Sequence, residues 1–204
     1  MVPTKEQQAD SHRKRMQNQK EKIDANIAAA TEERGVVILL TGNGKGKSSS
    51  AFGMVMRSMG YDYRVAVVQF IKGVQLSGEE LYLREHLPAE DFYQMGTGFT
   101  WDTQDKTADI EAAKKTWKVA ERLLKDESVH LLLLDELTYM LGYKYLDETQ
   151  VLDAIRNRPA NQSVVITGRG GGSALQELAD TVSEIKEIKH AYRAGVKARK
   201  GVDF

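Results

Sequence analysis

Residues 35–49 read Gly35-Val36-Val37-Ile38-Leu39-Leu40-Thr41-Gly42-Asn43-Gly44-Lys45-Gly46-Lys47-Ser48-Ser49 and lead into the helix-forming stretch SSAFGMVMRSMG (49–60). An apolar β-rich run, a glycine-rich turn and then a helix is the context of a phosphate-binding P-loop. The glycines let main-chain N–H groups converge on phosphate oxygens, and the helix N-terminus adds its dipole. Lys47 is suited to neutralise phosphate charge, and Ser48 to offer its hydroxyl to Mg²⁺. Thr41 stands where the usual first glycine would be, five residues before Gly46. The dinucleotide fingerprint fits worse, because its third glycine falls on Lys47. The loop therefore predicts a nucleoside triphosphate.

Outward from this loop, short apolar runs recur at 64–71 (RVAVVQFI), 129–135 (VHLLLLD) and 163–168 (SVVITG), with weaker strand candidates at 91–95 and 181–188. Most lack polar alternation, as expected of strands buried on both faces of a parallel sheet. Helical stretches separate them. In the clearest, Ile110, Ala113, Trp117, Ala120 and Leu124 fall on one face, with Asp109 near the start and Lys125 near the end. Strand–helix alternation predicts a layered α/β domain whose ligands bind beyond the carboxyl ends of the strands.

Those ends carry the remaining candidate groups. VHLLLLDEL (129–137) closes on Asp135 and Glu136, carboxylates placed to hold Mg²⁺ directly or through water. SVVITGRGGG (163–172) runs into a glycine-rich turn with Arg169, suited to a phosphate but equally at home in a plain strand-to-helix connection. In GTGFTWD (96–102), Phe99 and Trp101 flank a threonine. Composition alone favours core anchors; an exposed pair would instead pack on a flat ligand. His12, His86, His130 and His190 form no ligand cluster and no nucleophile motif.

Hydrophobic residues make up 41% of the 204 and charged residues 28%, an ordinary globular composition. Lys+Arg and Asp+Glu are equal at 29 each, so no net positive field recommends nucleic acid as a partner. Zero cysteines exclude disulfides, thiolate metal sites and cysteine nucleophiles. No apolar run reaches the ~20 residues of a membrane span, and no signal peptide is apparent. A soluble, cytoplasmic protein is expected. Residues 1–34 hold thirteen Asp, Glu, Lys or Arg, no aromatic and only sparse apolar positions (Met16, Ile23, Ile27). They read as an arm that is partly helical or disordered, with the domain proper at 35–204.

Several segments together resemble the bacterial ATP:corrinoid adenosyltransferases of the CobA/CobO/BtuR type. These are TGNGKGKSS (41–49), VVQFIKG (67–73), MGTGFTWDTQ (95–104), LLLDELTYML (132–141), VITGRG (165–170) and KHAYRAGVKARKG (189–201). A P-loop alone is common to many enzymes; GTGFTW together with LDELTYM is far more specific. The resemblance implies an α/β, P-loop (RecA-like) fold with a mostly parallel sheet flanked by helices. It implies transfer of the 5′-deoxyadenosyl group of ATP to the cobalt of a corrinoid, with release of triphosphate, and a P-loop form in which Thr41 is regular.

Position by position, the resemblance assigns Gly42, Asn43, Gly44, Lys45, Gly46, Lys47, Ser48 and Ser49 to the triphosphate, and Ser48 and Glu136 to Mg²⁺, with Asp135 acting through water. Arg57 and Arg169 are carried over as further ATP contacts, and Lys72 lies in a matching segment without an assigned role. Phe99 and Trp101 match aromatics placed against the lower face of the corrinoid, where they ease reduction to Co(I); with Lys47 they complete the catalytic set. The arm matches a segment that covers the active site of a homodimer partner. Without cysteine or a flavin fingerprint, the electron must come from a separate reductase, a flavoprotein. Ser48-Ser49 replaces the more usual Thr-Thr, and Gly170-Gly171-Gly172-Ser173 departs from the larger polar side chains of relatives. Two other readings stay open on the residues alone: a kinase or ATPase cleaving at the γ-phosphate, and a non-catalytic nucleotide or corrinoid carrier.

Overall fold

The computed structural model describes residues 5–71, 76–96 and 106–204. The chain divides into two compact units, Met1–Glu33 and Arg34–Phe204. In the first, α1 (Lys5–Ala29) is a 25-residue helix rich in strong helix formers. Met16, Ile23 and Ile27 are exposed on it, so no continuous apolar stripe forms.

The second unit is built on six strands: β1 (Val37–Thr41), β2 (Val65–Gln69), β3 (Phe92–Gln94), β4 (Leu131–Asp135), β5 (Ser163–Thr167) and β6 (Thr181–Glu184). Their spatial order is β3-β2-β4-β5-β1-β6, and every neighbouring pair is parallel. The expected sheet is thus present, and parallel throughout. The connecting helices are α2 (Lys47–Met59), α3 (Gly78–His86), α4 (Lys106–Leu124), α5 (Leu137–Gly142), α6 (Glu148–Arg156) and α7 (Gly172–Leu178).

Successive strand side chains point to opposite faces, and both faces are covered, which is why the runs read as continuously apolar. In β4, Leu132 and Leu134 join Ala66, Val68, Val164 and Ile166 in the core under α4, where Trp117 and Ala113 pack. Leu131 and Leu133 face the other way, into the core formed with Ala51, Phe52 and Val55 of α2. The periodic face expected around Trp117 is the buried face of α4: Ala113, Trp117, Ala120 and Leu124 are all buried.

All six strands end on a polar residue: Thr41, Gln69, Gln94, Asp135, Thr167 and Glu184. Because the strands are parallel, these residues share one edge of the sheet, and that edge is the floor of the cleft described next. No helix among the described residues is long and apolar enough to cross a membrane.

Candidate active site

The P-loop is shaped from both sides. Gly46 caps α2 in the left-handed region at φ 118°, and a Cβ there would meet nothing within 4 Å. Its conformation, not crowding, calls for glycine. Gly42 and Gly44 answer a different need. A Cβ on Gly42 would lie 2.4 Å from the Ile185 carbonyl oxygen, and one on Gly44 2.8 Å from the main chain of Lys186. The chain leaving β6 runs directly against the loop, with Gly44 N–H donating to Ile185 O at 2.7 Å and Ile185 N–H to Thr41 O at 2.8 Å. The Thr41 side chain acts separately. Its hydroxyl donates to Gly170 O at 2.7 Å and so ties the P-loop to the turn that carries Arg169. Thr138 Oγ1 holds the same turn through the Arg169 carbonyl at 2.9 Å.

Above the loop opens a cleft of about 700 Å³ lined by Asn43 through Ser49 together with Asp135, Glu136 and Arg169. The structure therefore brings together seven of the eight assigned P-loop residues, both carboxylates and Arg169, while Gly42 backs onto Ile185. Arg57 is not brought there. It sits exposed in the last turn of α2, ten residues beyond Lys47 and about 15 Å along the axis. Phe99, Trp101 and Lys72 lie outside the described residues.

Lys47 is buried and donates to Gly44 O at 2.8 Å, within its own loop. Burial lowers its pKa, and Glu136 and Asp135 work against that shift. Glu136 follows β4 in a left-handed conformation, φ 61°. Burial, then the charge of Asp135, pushes its carboxyl up to about 7 despite Lys47 and Arg169. One of its oxygens, Oε2, is buried without a hydrogen-bond partner. Such an orphaned acceptor beside the P-loop main chain suits a hard cation. Asp135 differs: Oδ1 accepts from Thr167 Oγ1 at 2.6 Å and Oδ2 from Gln69 Nε2 at 3.0 Å. Glu136, with Ser48 across the cleft, is the carboxylate left open to a ligand.

Sequence reasoning missed much of the floor and one wall. Gln94 Nε2 bridges Gln69 Oε1 and Glu80 Oε2, each at 3.2 Å, and Arg84 Nε pairs with Glu80 at 2.9 Å, a partly buried polar chain running from Asp135 to α3. A polar residue at each strand's end was the available signal. His190, Asp203 and Phe204 supply the wall. For His190 the signal was the matching segment 189–201, which gave no residue a role by its pattern; Asp203 and Phe204 lie beyond that segment.

The family model for ATP:corrinoid adenosyltransferase BtuR/CobO/CobP matches residues 33–204. The chain belongs to this family. It is 50% identical over 202 residues to a corrinoid adenosyltransferase of Pseudomonas aeruginosa, covering 99% of this chain and 98% of that protein. Identity to the corrinoid adenosyltransferase of Escherichia coli K12 is 49% over 195 residues, and to corrinoid adenosyltransferase CobA of Salmonella typhimurium 46% over 195 residues. Each alignment spans 96% of this chain and 98% of the relative. The adenosyltransferase match thus takes in the P-loop, both carboxylates and the C-terminal wall.

Proposed function

We infer that this protein transfers the 5′-deoxyadenosyl group of ATP to the Co(I) of a corrinoid, cobalamin or cobinamide, and releases triphosphate, in adenosylcobalamin biosynthesis and salvage. The observation that carries this reading is the phosphate cleft at the strand ends of a chain that matches corrinoid adenosyltransferases over nearly its whole length. The Co(I) electron pair attacks the ribose C5′ and forms the Co–C bond. The C5′–O bond breaks, its pair leaves on triphosphate, and cobalt rises formally from Co(I) to Co(III). No proton moves, so no general base is needed, in keeping with a cleft that offers cations and main-chain donors.

The residues assigned to the leaving group are the main chain of 42–49, Lys47, and Arg169, which lines the same cleft. Their donors face charge that grows as the C5′–O bond breaks, so they stabilise the transition state more than bound ATP. Ser48 and Glu136 would hold Mg²⁺, with Asp135 behind them through water. The orphaned Glu136 Oε2 and an all-oxygen donor set fit that ion. When bound, Mg²⁺ would add Lewis-acid neutralisation of the triphosphate. Substrate phosphates would complete the shell of such an ion.

Phe99 and Trp101 are assigned to the corrinoid on the strength of the motif GTGFTW. The protein would work as a cytoplasmic homodimer, the arm of one subunit covering the other's cleft, and receive reduced corrinoid from a flavoprotein reductase. Anaerobic incubation with ATP, Mg²⁺ and chemically reduced cob(I)alamin tests the central reading. A light-sensitive adenosylated corrinoid with one triphosphate per turnover is expected. Unmodified corrinoid with accumulating ADP would assign the cleft to γ-phosphate chemistry instead, and uncleaved ATP would make the protein a carrier.

A further inference from the structure

Of the three histidines in the α/β unit, two line no part of the cleft. The Tyr82 carbonyl engages His86 Nδ1 at 2.8 Å and the Tyr82 ring stacks on it, and His130 stacks on Tyr63; the fourth histidine, His12, lies in α1. His190 is different, because it lines the phosphate cleft beside the P-loop residues and Arg169.

Its position relative to the loop is fixed by the main chain. Five residues before it, Ile185 exchanges hydrogen bonds with Thr41 and Gly44, and the glycines at 42 and 44 admit no side chain between the two segments. Its ring is fixed as well. Tyr192 N–H donates to His190 Nδ1 at 3.2 Å, the side-chain cap of the short turn Ala191–Ala194. With Nδ1 engaged as an acceptor, the ring's hydrogen belongs on Nε2.

The two carboxylates that line the cleft on the same side, Glu187 and Asp203, are committed elsewhere. Glu187 pairs with Arg193 Nε. Asp203 pairs with Lys45 at 3.2 Å and accepts Arg199 N–H at 2.9 Å. Among the described residues, Nε2 makes no hydrogen bond. The cleft thus contains an N–H donor with a set tautomer on a segment laced to the P-loop. An anion is the partner such a donor lacks.

We propose that His190 is a triphosphate-binding residue, donating through Nε2–H to a phosphate oxygen of the bound, and then leaving, triphosphate. It holds this group through that N–H and moves no proton. The inference deepens the reading of the cleft as a triphosphate site and rests on it.

Two amide variants separate its two nitrogens, because Asn carries a polar atom near the Nδ1 position and Gln near the Nε2 position. The probe is inorganic triphosphate with Mg²⁺, titrated calorimetrically into the full chain, with thermal unfolding as a control on folding. His190→Asn should keep the cap and weaken triphosphate by roughly tenfold or more. His190→Gln should stay within about threefold of the parent. The reversed ranking would show a turn cap only, and that result, equal losses, or no loss in either variant overturns the proposal.

A measurement on the unsubstituted protein guards against misfolded variants. Its histidine proton–nitrogen correlation spectrum should show the Nε2–H tautomer for His190, with Nε2 shifting as Mg²⁺-triphosphate is added; an unmoved Nε2 overturns the proposal. Lys47→Ala distinguishes the two levels of inference. If the parent binds no triphosphate, the cleft reading fails. If the parent binds and Lys47→Ala abolishes binding while His190→Asn does not weaken it, only the role of His190 fails.

Discussion

Thr167 locks Asp135: its hydroxyl donates to Asp135 Oδ1 at 2.6 Å while accepting the Glu136 main-chain N–H at 2.9 Å. One buried hydroxyl at the end of β5 thereby fixes the side chain of one carboxylate and the main chain of the next. It turns Asp135 inward and leaves Glu136 facing the cleft.

Replacing that hydroxyl by a methyl group of similar size should be costly. Thr167→Val leaves the Glu136 N–H and an Asp135 oxygen unpaired at a fully buried position. A loss of about 2–4 kcal/mol in urea unfolding is expected, against about 1 kcal/mol or less for Thr167→Ser, which keeps the hydroxyl. Equal losses in the two variants would assign the role of Thr167 to packing.

Glu136 should make the ligand-free protein less stable as pH rises. Its carboxyl ordinarily titrates at 4.5 and is pushed up to about 7 in the folded chain, chiefly by burial. The folded state therefore holds the proton more tightly, and the associated stability is full below about pH 4.5 and lost as pH rises through 7. Between pH 5 and pH 8 the parent should lose on the order of 2–3 kcal/mol relative to Glu136→Gln. Parallel stability profiles for the two proteins would rule this out.

Lys47→Ala should cost ~2–4 kcal/mol of transition-state stabilisation, at least about thirtyfold in kcat/KM for ATP with chemically generated Co(I). Near-native turnover would remove the P-loop lysine from the mechanism.

The P-loop glycines should fail in different ways. Gly44→Ala drives a Cβ into the Lys186 main chain and should free the segment after β6, so exchange of the residue 44 amide accelerates. Gly46→Ala meets no neighbour but keeps φ near 118°, a strain of about 1–3 kcal/mol that should leave that amide protected. Hydrogen exchange followed residue by residue distinguishes the two.

Replacing Phe99 and Trp101 together should slow reduction of bound Co(II) corrinoid while sparing adenosylation of preformed Co(I). Equal loss in both assays would mean that corrinoid binding, not the ease of reduction, depends on the pair.

The features legible in the sequence are those whose partners are near in the chain. The strand, turn and helix of the P-loop occupy consecutive residues, and Asp135-Glu136 directly follows the apolar run of β4. The network of Gln69, Gln94, Glu80 and Thr167 was not legible. It depends on β3, β2, β4 and β5 being neighbours in space, an order the chain visits non-sequentially. Arg57 shows the reverse effect. It is close to Lys47 in sequence and on the same helix, yet nearly three turns lie between them, and the cleft opens at only one end. The C-terminal wall was hidden for a third reason: after β6 its described regular structure is one short turn, so no periodicity announced which side chains face inward.

The lacing of Gly44 to Ile185 also bears on when the protein can first bind nucleotide. A ribosome releases Thr41 through Ser49 well before Ile185, the residue after β6 that shapes this loop. Until Ile185 emerges, the loop lacks the segment that shapes it. Capture of nucleotide should therefore wait for the segment after β6, which the P-loop needs as its outer support.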